Sequence, residues 1–396
     1  MPIPSPFHPR LAELCHSQEW RNWAGYLSPA TYQHSYDPEY FALRNAAGLI
    51  DVSPLFKYDV IGPDAARLVN RIATRDLRKL SVGQIFYSPW CDDDGKVIDD
   101  GTFWRLEPQR FRITAADPNL HWFQDCSRGL EVEVQDVSRA IAALALQGPN
   151  SREILKRAIA GPDLDHLAYY HLATGAVAGV PVTITRTGYT GDLGYELWVE
   201  AAGGPALWDA LMQAGEPFGL TPTGLAALDI ARIEAGLLLI EVDYISSVKA
   251  LTEARKSSPY EIGLGWAVDL EEPSFVGRRA LALEHSRGSA WGFVGLQVGW
   301  SELESLFAQA DLPPQVAGRA ARDPVPIFRH DRQIGQATSR AFSPLLKKYL
   351  ALGTIERSCA RLGTRVDLEI TVEFARQRVP ATVVRRPFFD PPRRRG

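Results

Sequence analysis

Two short stretches carry polar residues in positions where they could do chemistry. In Arg186-Thr187-Gly188-Tyr189-Thr190-Gly191-Asp192-Leu193-Gly194-Tyr195-Glu196-Leu197, three glycines let the backbone turn tightly. Tyr189 and Glu196 stand there as polar groups on strands whose other side chains are apolar, so each needs a partner of its own. By itself such a hairpin reads more readily as a structural turn than as a site. The second stretch is the pair Asp99-Asp100. On a strand these carboxylates point to opposite faces, so only one can face a given pocket. An isolated Asp-Asp pair reads as a solvated turn, and that reading is kept for Asp99.

Other chemistries lack their residues. Cys15, Cys91, Cys126 and Cys359 are scattered without a C-x-x-C pair, and the eight histidines form no H-x-x-x-H arrangement, so no metal site is expected. G-x-G-x-x-G, the P-loop pattern and G-x-S-x-G are all missing. Forty-three Lys+Arg against forty-seven Asp+Glu leave a net charge of -4, which argues against a dedicated nucleic-acid binder. No apolar run approaches the ~20 residues of a membrane span, and the first residues carry no basic-then-apolar leader, so a cytoplasmic protein is expected.

The elements that must position these residues read as an α+β chain of two or three domains, given 396 residues at roughly 100–200 per domain. Residues 1–35 look like an ordered aromatic arm, and residues 41–50 like a short helix. Strand 58–61 runs through Gly62-Pro63 into a helix with Leu68, Val69 and Ile72 inward, and strand 141–146 runs through Gly148-Pro149 into another with Ile154, Leu155 and Ala158 inward. Between these related units, segments 86–90, 97–104 and 111–115 suggest a small antiparallel sheet. Helices are expected over 205–215 and 221–236, the second with Ala226, Ile230, Ile233 and Leu237 on one face. Beyond Gly288 short strands suggest an all-β domain ending in a solvated basic tail around Arg393-Arg394-Arg395.

The hairpin wording resembles the signature of the glycine-cleavage T-protein family of aminomethyltransferases. AAGLIDVS, VIGPDA, YSPWCDDDGKVIDD, ALQGPN, RIEAG, PYEIGLGW, FVGRRAL, QIGQATSRAFSPLLKKYLALG and RRPFF resemble blocks of that family in the family's order. The resemblance implies a three-domain clover-leaf: a discontinuous α+β domain from 1–55 and 139–284, a small antiparallel-sheet domain over 56–138, and a C-terminal β-barrel domain over 285–396. It implies tetrahydrofolate as cofactor, bound with Glu196 on the N3–H and 2-amino donor pair of the pterin and with Tyr87, Tyr189 and Trp266 beside the ring. Asp100 matches the family's catalytic aspartate. The implied partners are a small-molecule one-carbon donor and, for the T-protein reaction itself, a lipoyl-carrying H-protein.

Departures from the family pattern fall where a donor would approach. The family's A-R-D reads Ala227-Leu228-Asp229, which replaces an arginine by leucine; the entrance motif is only echoed by Trp23-Ala24-Gly25-Tyr26-Leu27, and Asp243 alone is recognisable in IEVDYISS. Tyr26, Leu228 and Asp243 are therefore expected to line the donor pocket. Three activities follow from the resemblance: one-carbon transfer to N5 as in aminomethyltransferase, a folate-dependent O-, S- or N-demethylase, and, least supported, a non-catalytic folate-binding protein.

Overall fold

The computed structural model describes residues 1–271, 274–316 and 318–396. Its architecture follows from period-two alternation in strand Ile141–Gln147. Ala142, Leu144 and Leu146 pack with Ile154 and Leu155 of helix Ser151–Ala158 and with Leu207, Trp208 and Leu211 of helix Gly204–Gly215. Ala143 and Ala145, on the opposite face, belong to a different apolar cluster. Large side chains thus hold the helices on one face, and small ones leave space on the other.

This strand belongs to a seven-stranded sheet in the order Ile159–Ala160, Leu172–Val177, Val180–Thr185, Gly194–Glu200, Ile141–Gln147, Ala47–Asp51 and Leu220–Pro222, antiparallel except for the last pair. Between Ala47–Asp51 and Ile141–Gln147 the chain leaves to build a five-stranded sheet, ordered Ile85–Cys91, Val97–Glu107, Arg110–Ala115, Phe56–Ile61 and Glu133–Asp136. Helices Ala65–Ile72 and Leu120–Cys126 cover it through Leu68, Val69, Ile72 and Phe123. Six further strands between Trp291 and Val384 close into a barrel with its own apolar interior. A fourth cluster, with Ile50, Trp104, Trp198, Leu228 and Leu352 among its members, contains residues from all three units. The fold is α+β with a closed C-terminal barrel, as expected.

Several local expectations need correction. The helix expected over 41–50 runs instead over Asp37–Asn45, because the following Ala47–Asp51 is wholly buried between two sheet partners. The helix expected over 221–236 is shortened to Leu225–Glu234: residues Leu220–Pro222 pair as a strand, and Leu237 lies beyond the helix end. Pro63 and Pro149 stand just ahead of their helices rather than in the first turn. The barrel region carries a helix, Trp300–Ala308, between its first two strands in sequence. The basic tail is not free: Arg393 forks onto the buried Asp192 at 2.7 and 2.9 Å. Among the described residues no helix is long and apolar enough to cross a membrane.

One buried ion pair ties the seven-stranded-sheet unit to the barrel. Glu234, at the end of helix Leu225–Glu234, accepts from Arg44 Nε at 2.9 Å and Nη2 at 2.5 Å, from the Tyr40 hydroxyl at 2.5 Å and from Ser343 of the barrel at 2.5 Å. Its backbone carbonyl also accepts from the N–H groups of Phe388 and Phe389, both at 2.9 Å. Arg44 spends its remaining donors on the carbonyls of Thr190 and Ala231. Asp192, 3.8 Å from Arg44 Nη1, is a second and more distant counter-charge, so removing Glu234 takes the close partner from a buried guanidinium, at a cost of about 3–5 kcal/mol. Glu234→Ala should lower unfolding stability by that amount in urea titration, and a loss below about 1 kcal/mol would show that the pair is dispensable.

Candidate active site

The face left open by Ala145 becomes one wall of a cavity of about 310 Å³. The two sheets, the helix Leu225–Glu234 and the arm strand Trp20–Trp23 all contribute to its lining. Alternation in Gly194–Glu200 places Tyr195, Leu197 and Val199 in the opposite cluster and turns Glu196 and Trp198 to the cavity. The hairpin glycines have a steric reason, since a Cβ at Gly188 or Gly194 would stand 2.0 or 2.3 Å from the buried Gln147 amide. That amide in turn accepts from Thr190 Oγ1 at 2.9 Å and donates to the Thr187 carbonyl at 3.2 Å, so it fixes the hairpin over the cavity.

Glu196 is held by one of its two oxygens. Thr187 Oγ1 donates to Oε2 at 2.6 Å and Thr185 Oγ1 at 3.4 Å, while Oε1 has no donor among the described residues. Burial raises the carboxyl's pKa and the two threonine hydroxyls pull it back. Asp100, by contrast, has both oxygens engaged: the Tyr87 hydroxyl donates to Oδ2 at 2.6 Å and the Tyr244 hydroxyl to Oδ1. Burial raises its pKa as well, against the two phenols that favour the ionised form. Asp99 is fully buried on the opposite face of the strand, where it accepts from the backbone N–H groups of Asp100 and Asp117 and from Asn119 Nδ2. The expectation of a solvated turn at Asp99 is thereby corrected, because the Gly95 turn ends before the strand and the pair sits within it.

A third set of charges comes from helix Leu225–Glu234. Arg232, one turn on from Leu228 and 1 % exposed, donates Nε to Asp229 Oδ1 at 2.8 Å and Nη1 to Asp243 Oδ2 at 2.7 Å. Arg322 takes the other Asp229 oxygen at 2.7 Å. Leu228 lines the cavity together with Leu225, Leu237, Leu238, Leu239 and Ile240, an apolar wall.

Of the residues expected from sequence, Tyr87, Asp100, Tyr189, Glu196 and Leu228 line this one cavity. Three do not. Tyr26 lies past the Ala24-Gly25 turn on the return strand Tyr26–Pro29, bridged to Ile3, and it is Arg21, Asn22 and Trp23 that reach the cavity. Asp243 is buried behind the wall, outside the lining, where Thr338 and Ser339 of the barrel donate to its Oδ1 and Arg232 to its Oδ2. Trp266 is 64 % exposed and stacks on Tyr87, with ring centroids 6.0 Å apart, outside the lining.

Sequence reading missed Trp198, although the two-residue strand spacing from Glu196 would have found it, and Thr187, which lies in the hairpin loop beyond the end of strand Val180–Thr185. No local signal marks Tyr170, held at φ 60° after a loop, or Tyr244, whose hydroxyl meets Asp100 from 144 positions away. Arg394 also lines the cavity, which brings the basic tail to the site.

The chain matches known proteins over nearly its whole length. The model of the GCVT N-terminal domain matches residues 10–272, and that of the glycine cleavage T-protein C-terminal barrel domain matches residues 314–390. Aminomethyltransferase of Desulforamulus reducens is 33% identical over 371 residues, 93% of each chain. That of Moorella thermoacetica is 35% identical over 376 residues, 94% of each chain. Trimethylamine-oxide aldolase of Ruegeria pomeroyi is 34% identical over 369 residues, which cover 90% of this chain and 43% of that protein. The crystal structure of glycine cleavage system aminomethyltransferase T from Bartonella henselae superposes with a TM-score of 0.83 at 25% identity, covering 98% of this chain and 99% of that one. The chain belongs to the glycine-cleavage T-protein family, a family of transferase enzymes of the aminomethyltransferase type.

The two phenols make a prediction about Asp100. Each hydrogen bond favours its ionised form, so Tyr244→Phe should raise the carboxyl's pKa further. Carboxyl-stretch infrared titration of carbon-13-aspartate protein, with Asp100→Asn identifying the band, would register the upward shift. An unchanged midpoint would show that the Tyr244 hydroxyl does not govern this carboxylate.

Proposed function

We propose that this chain is a tetrahydrofolate-dependent one-carbon transferase, which moves a one-carbon unit from a small-molecule donor onto N5 of the folate. The observation that carries the reading is the pairing, in one aromatic-walled cavity, of a carboxylate with an uncommitted oxygen, Glu196, and a carboxylate clamped by two phenols, Asp100. The lining suits a reduced pterin. Glu196 matches an adjacent N–H and amino donor pair, and its free Oε1 is the acceptor such a pair would require. Tyr87, Tyr170, Tyr189 and Trp198 offer flat walls.

When bound, the folate supplies the nucleophilic N5 that receives the one-carbon unit. The chain's own residues supply orientation and proton handling. Glu196 fixes the ring's rotation, and the tyrosines and Trp198 exclude water from it. Asp100 handles the proton: both its oxygens accept from phenols, and its burial-raised pKa makes it a better proton acceptor than an exposed aspartate. Trp266, stacked on the outer face of Tyr87, supports that wall at the rim.

A second reading, methyl transfer from an O-, S- or N-methyl compound, is favoured by the apolar wall around Leu228. A methyl donor needs an apolar pocket and no protein carrier, whereas aminomethyl transfer in the T-protein manner draws on a lipoyl-carrying H-protein. Mass spectrometry of tetrahydrofolate incubated with the enzyme and each donor class separates the two. 5-Methyltetrahydrofolate supports the demethylase, and 5,10-methylenetetrahydrofolate supports aminomethyl transfer. Folate binding without product from any donor leaves a folate-binding protein, and absence of folate binding overturns the proposal.

The two carboxylates should separate in mutation. Glu196→Gln should weaken tetrahydrofolate binding in calorimetry by about 1.5–3 kcal/mol, the worth of a hydrogen bond to a charged group. Asp100→Asn should lower turnover by about 10²–10⁴ while leaving folate affinity nearly unchanged. Equal losses of affinity and turnover in Asp100→Asn would reduce its role to binding.

A further inference from the structure

One end of the cavity holds more positive charge than its own carboxylates neutralise. Arg21, Arg232 and Arg322 all line it, and the carboxylates facing them are Asp229 and Asp243. Asp229 is spent on Arg232 and Arg322, one oxygen each. Asp243 is spent on Arg232, the Leu239 N–H and the hydroxyls of Thr338 and Ser339. Neither carboxylate makes a hydrogen bond or ion pair with Arg21. That guanidinium, half-buried on strand Trp20–Trp23, makes no hydrogen bond or ion pair with any described residue. Arg232, also in the lining, has one donor, Nη2, without a hydrogen-bond partner, but that atom is closed off within the wall. Burial and the neighbouring Arg322 and Arg319 charges disfavour the Arg21 cation, against support from the Asp229 and Glu19 charges, neither of which pairs with it. An unpaired guanidinium in such a place is costly until an anion meets it.

We infer that the unpaired guanidinium of Arg21 forms a carboxylate-binding subsite at this end of the cavity. The planar guanidinium fork matches a carboxylate bidentately. The wall next to it, Trp23, Leu225 and Leu228, is apolar, so the carboxylate it takes is borne on an apolar or aromatic stem. Two ligands of the proposed reaction offer that chemistry: the glutamyl arm of a folate, or a carboxylate on the one-carbon donor. The subsite rests on the proposed function only for the identity of that ligand.

The test is calorimetry on the intact chain and on Arg21→Gln and Arg21→Lys, with 5-formyltetrahydrofolate, with 6-methyltetrahydropterin, which lacks the carboxylate arm, and with benzoate. If the arm is the source, Arg21→Gln weakens 5-formyltetrahydrofolate at least tenfold, spares 6-methyltetrahydropterin, and saturating folate displaces benzoate. If the donor is the source, Arg21→Gln spares both pterins, and benzoate binds the folate-saturated chain at least tenfold more tightly than it binds the variant. In either case Arg21→Lys, which keeps the charge without the fork, falls between. Arg21→Gln binding all three probes within twofold of the unchanged chain overturns the subsite, as does an equal loss for 6-methyltetrahydropterin, which marks general damage. Urea unfolding of Arg21→Gln, expected unchanged because Arg21 has no partner to lose, guards against misfolding. If neither pterin binds the unchanged chain, the folate reading fails, and Arg21-dependent benzoate binding still decides the subsite.

Discussion

The buried pair between Arg44 and Glu234 is the constraint on which the remaining geometry depends. It joins the helix Asp37–Asn45 to the end of the helix Leu225–Glu234, and the same carboxylate takes a hydroxyl from the barrel strand Arg332–Ser343. The Thr190 carbonyl at the hairpin tip is held by the same guanidinium. Everything that lines the cavity from that side is therefore indexed to one point. A charge placed there is strongly destabilising when unpaired, so the geometry is enforced by the cost of every alternative as much as by the energy of the pair itself.

The cavity exists because strand residues alternate. Leu144 and Leu146 fill one side of the sheet, and only Ala145 and the Gln147 amide face the other at those positions. Where a packed core would have placed a large aliphatic chain, there is room, and the neighbouring strand fills part of it with Glu196 and Trp198. The polar groups then fall into two sets: Glu196 and Asp100 in the aromatic part, and Arg21 with the Arg232–Asp229–Arg322 cluster beside the leucine wall. A ligand with a hydrogen-bond-donating flat ring and an anionic group elsewhere is complementary to both.

Asp243 illustrates how a motif residue can matter from outside the cavity lining. The segment around it diverges from the family pattern, yet the aspartate holds Arg232 from behind and receives two barrel hydroxyls. It couples the barrel to the cavity wall, so substitutions at Thr338 or Ser339 act on the site at second hand. Trp266 works similarly from outside, as a plane behind Tyr87.

The sequence by itself determined the α+β class, the closed barrel and the family, because those rest on local periodicity, on Gly-Pro punctuation and on motif blocks that keep their order along the chain. It also pointed to Glu196, Asp100, Tyr87, Tyr189 and Leu228, which lie within matched motifs. Only the tertiary structure decided which residues complete the site. Tyr244 reaches Asp100, and Arg21 shares a cavity with Arg232 and Arg322, across separations that no local pattern encodes. Tyr26 was displaced by a turn of two residues, and the helix expected over 41–50 yielded to a strand because the sheet offered Ala47–Asp51 partners on both sides. Motif spacing reports the conformation of a segment, whereas contact between distant segments is set by how the units pack on one another.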